Sequence, residues 1–424
     1  IKDVIPRYQT MKGKHVDRVW GWDCHGLPTE NKVEQLLGIS SKKEIETLGI
    51  DKFVSTCKTY VQDVSSEWEW YIDRIGRWVD MQHSYRTMDI KYMESVIWVF
   101  KQLYTKGHIY KGKRVSLFCP RCSTPISNFE VAMDNSYKDV TDPSVFLKFK
   151  IKGENTYLLA WTTTPWTLPS NFALAVSEND TYVLVEQDKV QYILAKSRLD
   201  AVLGTKNRTI LEEFKGAKLV GKKYEPLYTY YDAKEADYHV YAADFVSMED
   251  GTGIVHIAPG FGEDDTELGK KYGLSMGESV DDTGSMDPKI TVAQGKYFKS
   301  ADKYILEELE QRGLVLMSTK ITHSYPHCHR CATALLYKSQ VAWYINIQDI
   351  KNKLIETNKS INWVPKHFKN GRFKLSIEAA PDWCISRSRY FGTPLPVWEC
   401  TCGETIIPGS IEEMETLSGQ KITD

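Results

Sequence analysis

The spacing of apolar positions changes twice along the chain, and the changes mark its organisation. At the start, Ile1, Val4, Ile5, Tyr8 and Met11 recur at helical spacing, and Gly13 follows as a stop. A short strand is predicted over 16–20, followed by a sharp loop, GWDCHGLPTE, over 21–30. Two longer helical stretches are predicted over 52–78 and 92–106. In the second, Tyr92, Val96, Val99, Phe100 and Leu103 share one face and Gly107 supplies the cap. Residues 1–137 therefore read as α/β. From 141 to about 260 the period shortens to that of strands, in runs such as SVFLKFKI, TYLLAWT, FALAVS, TYVLVEQ, VQYILA, HVYAADFV and GIVHIA. Gly, Asn and Asp stand between most of them, the pattern of a barrel or sandwich. Helical spacing returns near 301–312. A last helix is predicted after Ser410, which forms a capping box with Glu413, and Gly419 stops it.

The reading is one α/β domain interrupted by a β-rich, barrel-like insertion: 1–137, then 138–322, then a return over 323–424. The opening inside an amphipathic helix, without Met, reads as a truncated start. At 424 residues the chain has length for two or three domains with sizeable cores. Hydrophobic residues at 42% and charged residues at 26% are ordinary for a globular protein. The formal net charge is −2, so any RNA contact must come from local patches. No apolar run approaches the roughly 20 residues of a membrane span, and no signal peptide is visible.

Six of the nine cysteines form close pairs. Cys119-Pro-Arg-Cys122 and Cys328-His-Arg-Cys331 are C-x-x-C knuckles flanking the β-rich stretch. Two such knuckles complete a tetrahedral Zn²⁺ site, which would close the stem of the insertion. Cys400-Thr-Cys402 is either half of a second site or a free pair in a turn. The loop after the first strand places Asp23, His25 and Gly26 where open α/β sheets bind ligands. Asp23 there either holds a substrate ammonium or caps a helix.

Taken together, GWDCHGLPTE and the later PDWCISRSRYFGTPLPVW, over 381–398, resemble the large, editing class I aminoacyl-tRNA synthetases. The resemblance covers essentially the whole chain. It implies a Rossmann-type catalytic domain, incomplete here, interrupted by an editing domain. WTTTPWTLPSN over 161–171 is similar to the isoleucyl branch, whereas valyl and leucyl relatives carry Arg where this chain has Pro165. GTGIVHIAPGFGEDD, over 251–265, is similar to the family's second editing motif. The resemblance implies ATP-dependent joining of isoleucine to tRNA(Ile), with ATP and Mg²⁺, and hydrolysis of mischarged valyl-tRNA(Ile). Cytoplasm is the default location, with an organellar enzyme stripped of its transit segment as the alternative, and no membrane partner is expected. The family's HIGH and KMSKS motifs are expected outside residues 1–424, so the segment is expected to retain only the editing part. The competing readings are a valyl or leucyl relative and a zinc-stapled RNA-binding module without activity.

Editing is needed because one methylene in a hydrophobic pocket separates two substrates by only about 1–3 kcal/mol, the isoleucyl enzymes being the standing example. The resemblance assigns the editing chemistry to Asp265, as holder of the α-ammonium, and to the hydroxyls of Thr162, Thr163 and Thr164, positioning water or the terminal ribose. Asn171 adds an amide, and His256 lines and limits the pocket. Three threonines in a strand are also what β-propensity alone produces, and Glu263 and Asp264 read as solvated. No Ser-His-Asp or Cys-His arrangement calls for covalent catalysis, so water attack is expected. In the catalytic half the resemblance carries amino-group binding to Asp23, shaping of the pocket to Trp22 and His25, and side-chain packing to Trp383. Arg387 and Arg389 are expected near phosphate or tRNA.

Overall fold

The computed structural model describes residues 2–39, 41–132 and 136–422. The chain divides into two compact units. One is built from Ile1–Gly112 and Val341–Asp424, the other from Lys113–Gln340. The β-rich unit thus includes both cysteine knuckles, whereas the sequence placed the boundaries at 137/138 and 322/323. No helix among the described residues is long and apolar enough to cross a membrane.

The first unit is α/β. Its strand forms at Val19–Trp22 rather than over 16–20, because its partner Asp80–Arg86 sets the start: the two run parallel, with Val19 beside Asp80 and Trp22 beside Arg86. Parallel neighbours need a crossover, supplied here by helices Leu27–Leu37, Lys42–Leu48 and Ile50–Arg74. These pack through Val33, Ile45, Phe53 and Cys57, with Phe391 from the later segment. The helix expected over 52–78 ends at Arg74, where Gly76, at φ 64°, follows in the left-handed region. The apolar stripe of helix Val4–Met11 is exposed, Met11 by 76%. The final helix, Ile411–Ser418, starts at Ser410, whose hydroxyl accepts from the Glu413 N–H at 3.1 Å; Gly419 closes it in the left-handed region.

In the second unit, nine strands among the described residues form one sheet. Strand Thr156–Thr162 organises it. One edge carries Tyr137–Lys150, antiparallel. The other edge is shared: Val190–Ala195 pairs with residues 156–158, and Ile254–Ile257 pairs at Trp161 through Val255, both parallel. A strand edge divided between two partners makes the sheet fork and curl, the barrel-like form expected. Both faces are covered over much of the sheet, which is why several strands read as unbroken apolar runs. Val145, Leu147 and Phe149 point into one cluster, Phe146 into another. Helix Phe298–Gln311 covers the first through Phe298, Ala301, Ile305 and Leu309. Of the strands in this sheet, the sequence reading missed Arg208–Lys215 and Val315–Pro326. The first is largely exposed and the second partly so, both are polar at alternate or neighbouring positions, and each is held by an antiparallel partner.

Candidate functional site

The threonine strand ends at Thr162, and its last turn is fixed by its own hydroxyls. Thr162 Oγ1 accepts from the Thr164 N–H at 3.1 Å and lies 3.3 Å from Thr164 Oγ1. Pro165 then opens a 3₁₀ turn, Pro165–Ser170. The N–H of Trp166 donates to buried Asp302 at 2.8 Å, and the Trp166 ring packs edge-on against Phe261 and Phe298, each at 5.1 Å. Strand Ile254–Ile257 is registered beside Trp161 and brings His256 alongside the turn. Helix Glu263–Tyr272 follows and carries Asp265 in its first turn. Gly262 precedes that helix because a Cβ there would meet the Asp265 carboxyl carbon at 2.9 Å.

These elements enclose a cavity of about 270 Å³ lined by Thr162, Thr163, Thr164, Thr167, His256 and Asp265, with Trp161, Phe261 and the 250–255 turn completing it. Five of the six predicted residues therefore face one space. Asn171 is behind it: buried, not lining, with its amide on the Ala173 carbonyl at 2.9 Å and on His256 Nδ1 at 2.8 Å. Glu263 and Asp264 are exposed. Asp265 Oδ2 accepts from the Ala258 N–H at 2.9 Å. Burial pushes its carboxyl up to about 7, opposed by that hydrogen bond and reinforced by the Asp264 charge. Burial pushes the His256 ring the other way, down to about 4. The cavity thus holds an acid ready to ionise near neutrality and a ring that stays neutral. It suits a small cationic group beside an apolar one.

Four sulfurs form a second cluster in the same unit. Cys119 ends strand Ile109–Cys119, and Cys122 precedes its hairpin partner Thr124–Ile126. Cys328 and Cys331 follow strand Val315–Pro326. Each knuckle closes on a left-handed residue, Ser123 at φ 46° and Ala332 at φ 58°. All four Sγ atoms lie within 4.8 Å of one another, with Cys331 3.5 Å from Cys119 and 3.6 Å from Cys122. Zn–S bonds near 2.3 Å in a tetrahedron require S···S separations of about 3.8 Å, so the donor set and its spacing fit Zn²⁺. Hydrogen bonding among the sulfurs holds the Cys331 thiol below the usual range and that of Cys119 above it. Cys400 and Cys402 are exposed in the turn between Trp398–Glu399 and Thr405–Ile406.

In the first unit, Trp22 and Asp23 line a cavity of about 280 Å³ with Trp20, Thr29, Tyr60 and Trp68 among its walls. His25 is not on that wall; its ring meets Phe391 edge-on at 4.9 Å, and burial lowers its basicity against the pull of Asp23. Trp383 is 62% exposed and does not line the cavity. Arg389, expected near phosphate or tRNA, is paired within its own unit. Its Nη1 reaches Glu30 Oε2 at 3.1 Å, while Glu30, with 0% exposure, also accepts from the N–H groups of Tyr390 and Phe391. Arg387 donates to the carbonyls of Cys384 and Ser386. Glu30, Thr167, Asp302 and Tyr224 were not singled out from sequence. Glu30 and Thr167 lay inside quoted motifs, but the partners of Asp302 and Tyr224 are remote in sequence.

The fold is an α/β unit interrupted by a curled sheet with a hydroxyl-lined cavity, and the family model of tRNA synthetases class I (I, L, M and V) matches residues 1–423. The chain belongs to that family. An isoleucine–tRNA ligase of Treponema denticola is 45% identical over 99% of this chain and 41% of its own length. One from Clostridium novyi is 48% identical over 98% of the chain and 40% of its own length, and isoleucine–tRNA ligase 2 of Pseudomonas fluorescens is 44% identical over 100% and 41%. The chain therefore spans about two fifths of the length of the curated relatives it matches. A crystal structure of GlLeuRS-CP1 is 14% identical, covering 42% of this chain and 99% of that one, with a TM-score of 0.35.

Proposed function

We propose that the chain is part of an isoleucine–tRNA ligase and that the threonine-lined cavity hydrolyses valine wrongly attached to tRNA(Ile). The observation that carries this reading is the convergence of Asp265, three threonine side chains and a neutral His256 on one cavity of about 270 Å³. An aminoacyl ester offers that space an α-ammonium, an aliphatic side chain, a carbonyl and a ribose. Asp265 takes the ammonium, which draws the carboxyl into its ionised form. Thr163 has a half-exposed side chain on the cavity wall and, with Thr164, orients water or the terminal ribose. Held in place, the ester is attacked by water, and the alcohol of the tRNA leaves with a proton from solvent. His256 and the Trp161 side bound the space for the aliphatic group, which favours valine over isoleucine.

The assignment extends to the domains. Residues 138–322 form the editing domain; 1–137 and 323–424 carry the stem and part of a Rossmann-type catalytic domain. Cys119, Cys122, Cys328 and Cys331 hold a structural Zn²⁺, which ties the two stem segments and supplies no chemistry to the ester. In the catalytic half, Asp23 holds the amino group of isoleucine and Trp22 forms a wall of its cavity; His25 supports that wall from behind through Phe391. The full protein uses ATP with Mg²⁺ and works in the cytoplasm. The test is deacylation by the full chain: valyl-tRNA(Ile) is expected to be hydrolysed well above the spontaneous rate and isoleucyl-tRNA(Ile) spared. Equal loss of both esters, or of neither, would overturn the reading.

A further inference from the structure

His256 is held by a run of hydrogen bonds whose directions can all be assigned. One end of the Asn171 side chain lies 2.9 Å from the Ala173 carbonyl and 2.8 Å from His256 Nδ1. A carbonyl takes only a donor, so that end is the amide nitrogen, and its second hydrogen points to Nδ1. Nδ1 therefore offers its lone pair, and the proton of the neutral ring sits on Nε2. Nε2 lies 2.9 Å from Thr167 Oγ1 and donates there. The Thr167 hydroxyl passes its own hydrogen to the Thr164 carbonyl at 2.8 Å. At the other end, the Tyr224 hydroxyl donates to Asn171 Oδ1 at 2.7 Å. Thr167, Asn171, Tyr224 and His256 are all buried. A charged ring would set a second N–H against the Asn171 amide, donor on donor.

We propose that Tyr224, Asn171 and Thr167 are positioning residues that lock His256 as the neutral, Nε2-protonated ring, making it a rigid cavity wall with no free basic nitrogen. The inference rests on the deacylase reading above. It separates two tasks within one cavity. His256 does not act as a general base, since one nitrogen is protonated and the other is occupied. Size selection belongs to the wall, and so to the residues that hold it, whereas holding the ester belongs to Asp265. The low basicity of the buried ring agrees with this.

The test uses the full chain labelled with ¹⁵N-histidine, with the His256 signals identified as those lost in His256→Gln. Long-range ¹H–¹⁵N correlation is expected to show the Nε2–H form alone, unchanged from about pH 5.5 to about 8, a window within which a ring of ordinary basicity would charge. Thr167→Val removes the acceptor and keeps the shape. It is expected to admit the second tautomer and to lower the valyl-to-isoleucyl ratio of deacylation about tenfold, the factor that one buried hydrogen bond supplies. Thr167→Ser, which restores the hydroxyl, should restore both readouts. Tyr224→Phe acts in the same direction through Asn171 and serves if Thr167→Val fails to fold. A charged or Nδ1–H ring in the wild type, or wild-type selectivity in Thr167→Val, overturns the proposal. If the wild type deacylates neither ester, the functional reading and the selectivity role fall together, while the spectra still decide the lock.

Discussion

Asp265 is the residue on which the deacylase reading turns, and its loss has a calculable effect. A hydrogen bond to a charged group contributes about 1.5–3 kcal/mol, and a factor of ten in rate is about 1.36 kcal/mol. Removing the ammonium contact should therefore slow deacylation of valyl-tRNA(Ile) by roughly 10- to 150-fold. Because burial lifts the free carboxyl to about 7, about half of it is already ionised at pH 7, and this reduces the effect at most about twofold. Asp265→Ala also strips the acceptor from the Ala258 N–H, so Asp265→Asn is the cleaner change: its amide oxygen keeps that bond while the charge goes. Asp264→Ala, at an exposed neighbour, should change little. The assay is single-turnover deacylation at several pH values, corrected for spontaneous ester hydrolysis. In the wild type, kcat/KM should rise about tenfold per unit below pH 7 and flatten above it, since it reports the free enzyme. The α-amino group, ordinarily near 7.7–8.0, limits the plateau on the alkaline side. Both Asp265 variants should lack the acid limb, and Asp264→Ala should keep it. Wild-type rates in Asp265→Asn, or a wild-type profile flat through pH 7, would refute the reasoning.

Three further outcomes are expected. In the native state Asp265 keeps a proton that the unfolded chain, with its carboxyl near 3.8, loses between about pH 4 and 7, so this group's contribution to stability is lost as pH rises through that window. Asp265→Asn should accordingly melt above the wild type at pH 8, with the gap narrowing as pH falls and closing near pH 4; a gap independent of pH would contradict this. Metal analysis should find one Zn²⁺ per chain, and Cys328→Ser should lower the melting temperature of the β-rich unit; well under one equivalent, with all four thiols titratable, would remove the site. Glu30→Ala leaves the largely buried Arg389 guanidinium and two backbone N–H groups without their acceptor, so urea unfolding should show a loss of about 3–5 kcal/mol; a loss under about 1 kcal/mol would show that the pair is replaceable by water.

What the sequence made legible follows the range of the interactions concerned. Short strands such as 181–187 and 190–195 were visible because each buries residues in a contiguous apolar run. Val315–Pro326 was not, because its serine, threonine, lysine and histidine positions reach solvent and only its pairing with Tyr137–Lys150 makes it a strand. The same holds at the site. The motif strings bring Thr162–Thr164, His256 and Asp265 to notice as local patterns, and the register of Val255 with Trp161 is what joins them. Arg389 illustrates the opposite case. Beside a turn it reads as a solvated or salt-bridged surface cation, but its partner could not be named: Glu30, inside the first motif and more than 350 positions earlier. Tyr224 is a tyrosine among many until Asn171 is seen to need an acceptor's partner.

Asp265 and His256, both drawn out of water in the cavity, respond to the same burial in opposite directions, and this has a consequence for how the site meets its substrate. Desolvation disfavours charge on either residue. Near neutrality Asp265 therefore carries at most a partial negative charge and His256 none. An entering α-ammonium brings the one charge that makes ionised Asp265 favourable, so ion pairing and binding occur together. His256 gains nothing from the same event, because its two nitrogens are already engaged by Asn171 and Thr167. Charge recognition is thus responsive and shape recognition is fixed, within a space of about 270 Å³. A substrate lacking the ammonium, such as an N-acetylated valyl ester, should lose most of the rate without changing the preference for the smaller side chain. Retention of the full rate by the N-acetylated ester would place the ammonium, and with it Asp265, outside the binding interaction.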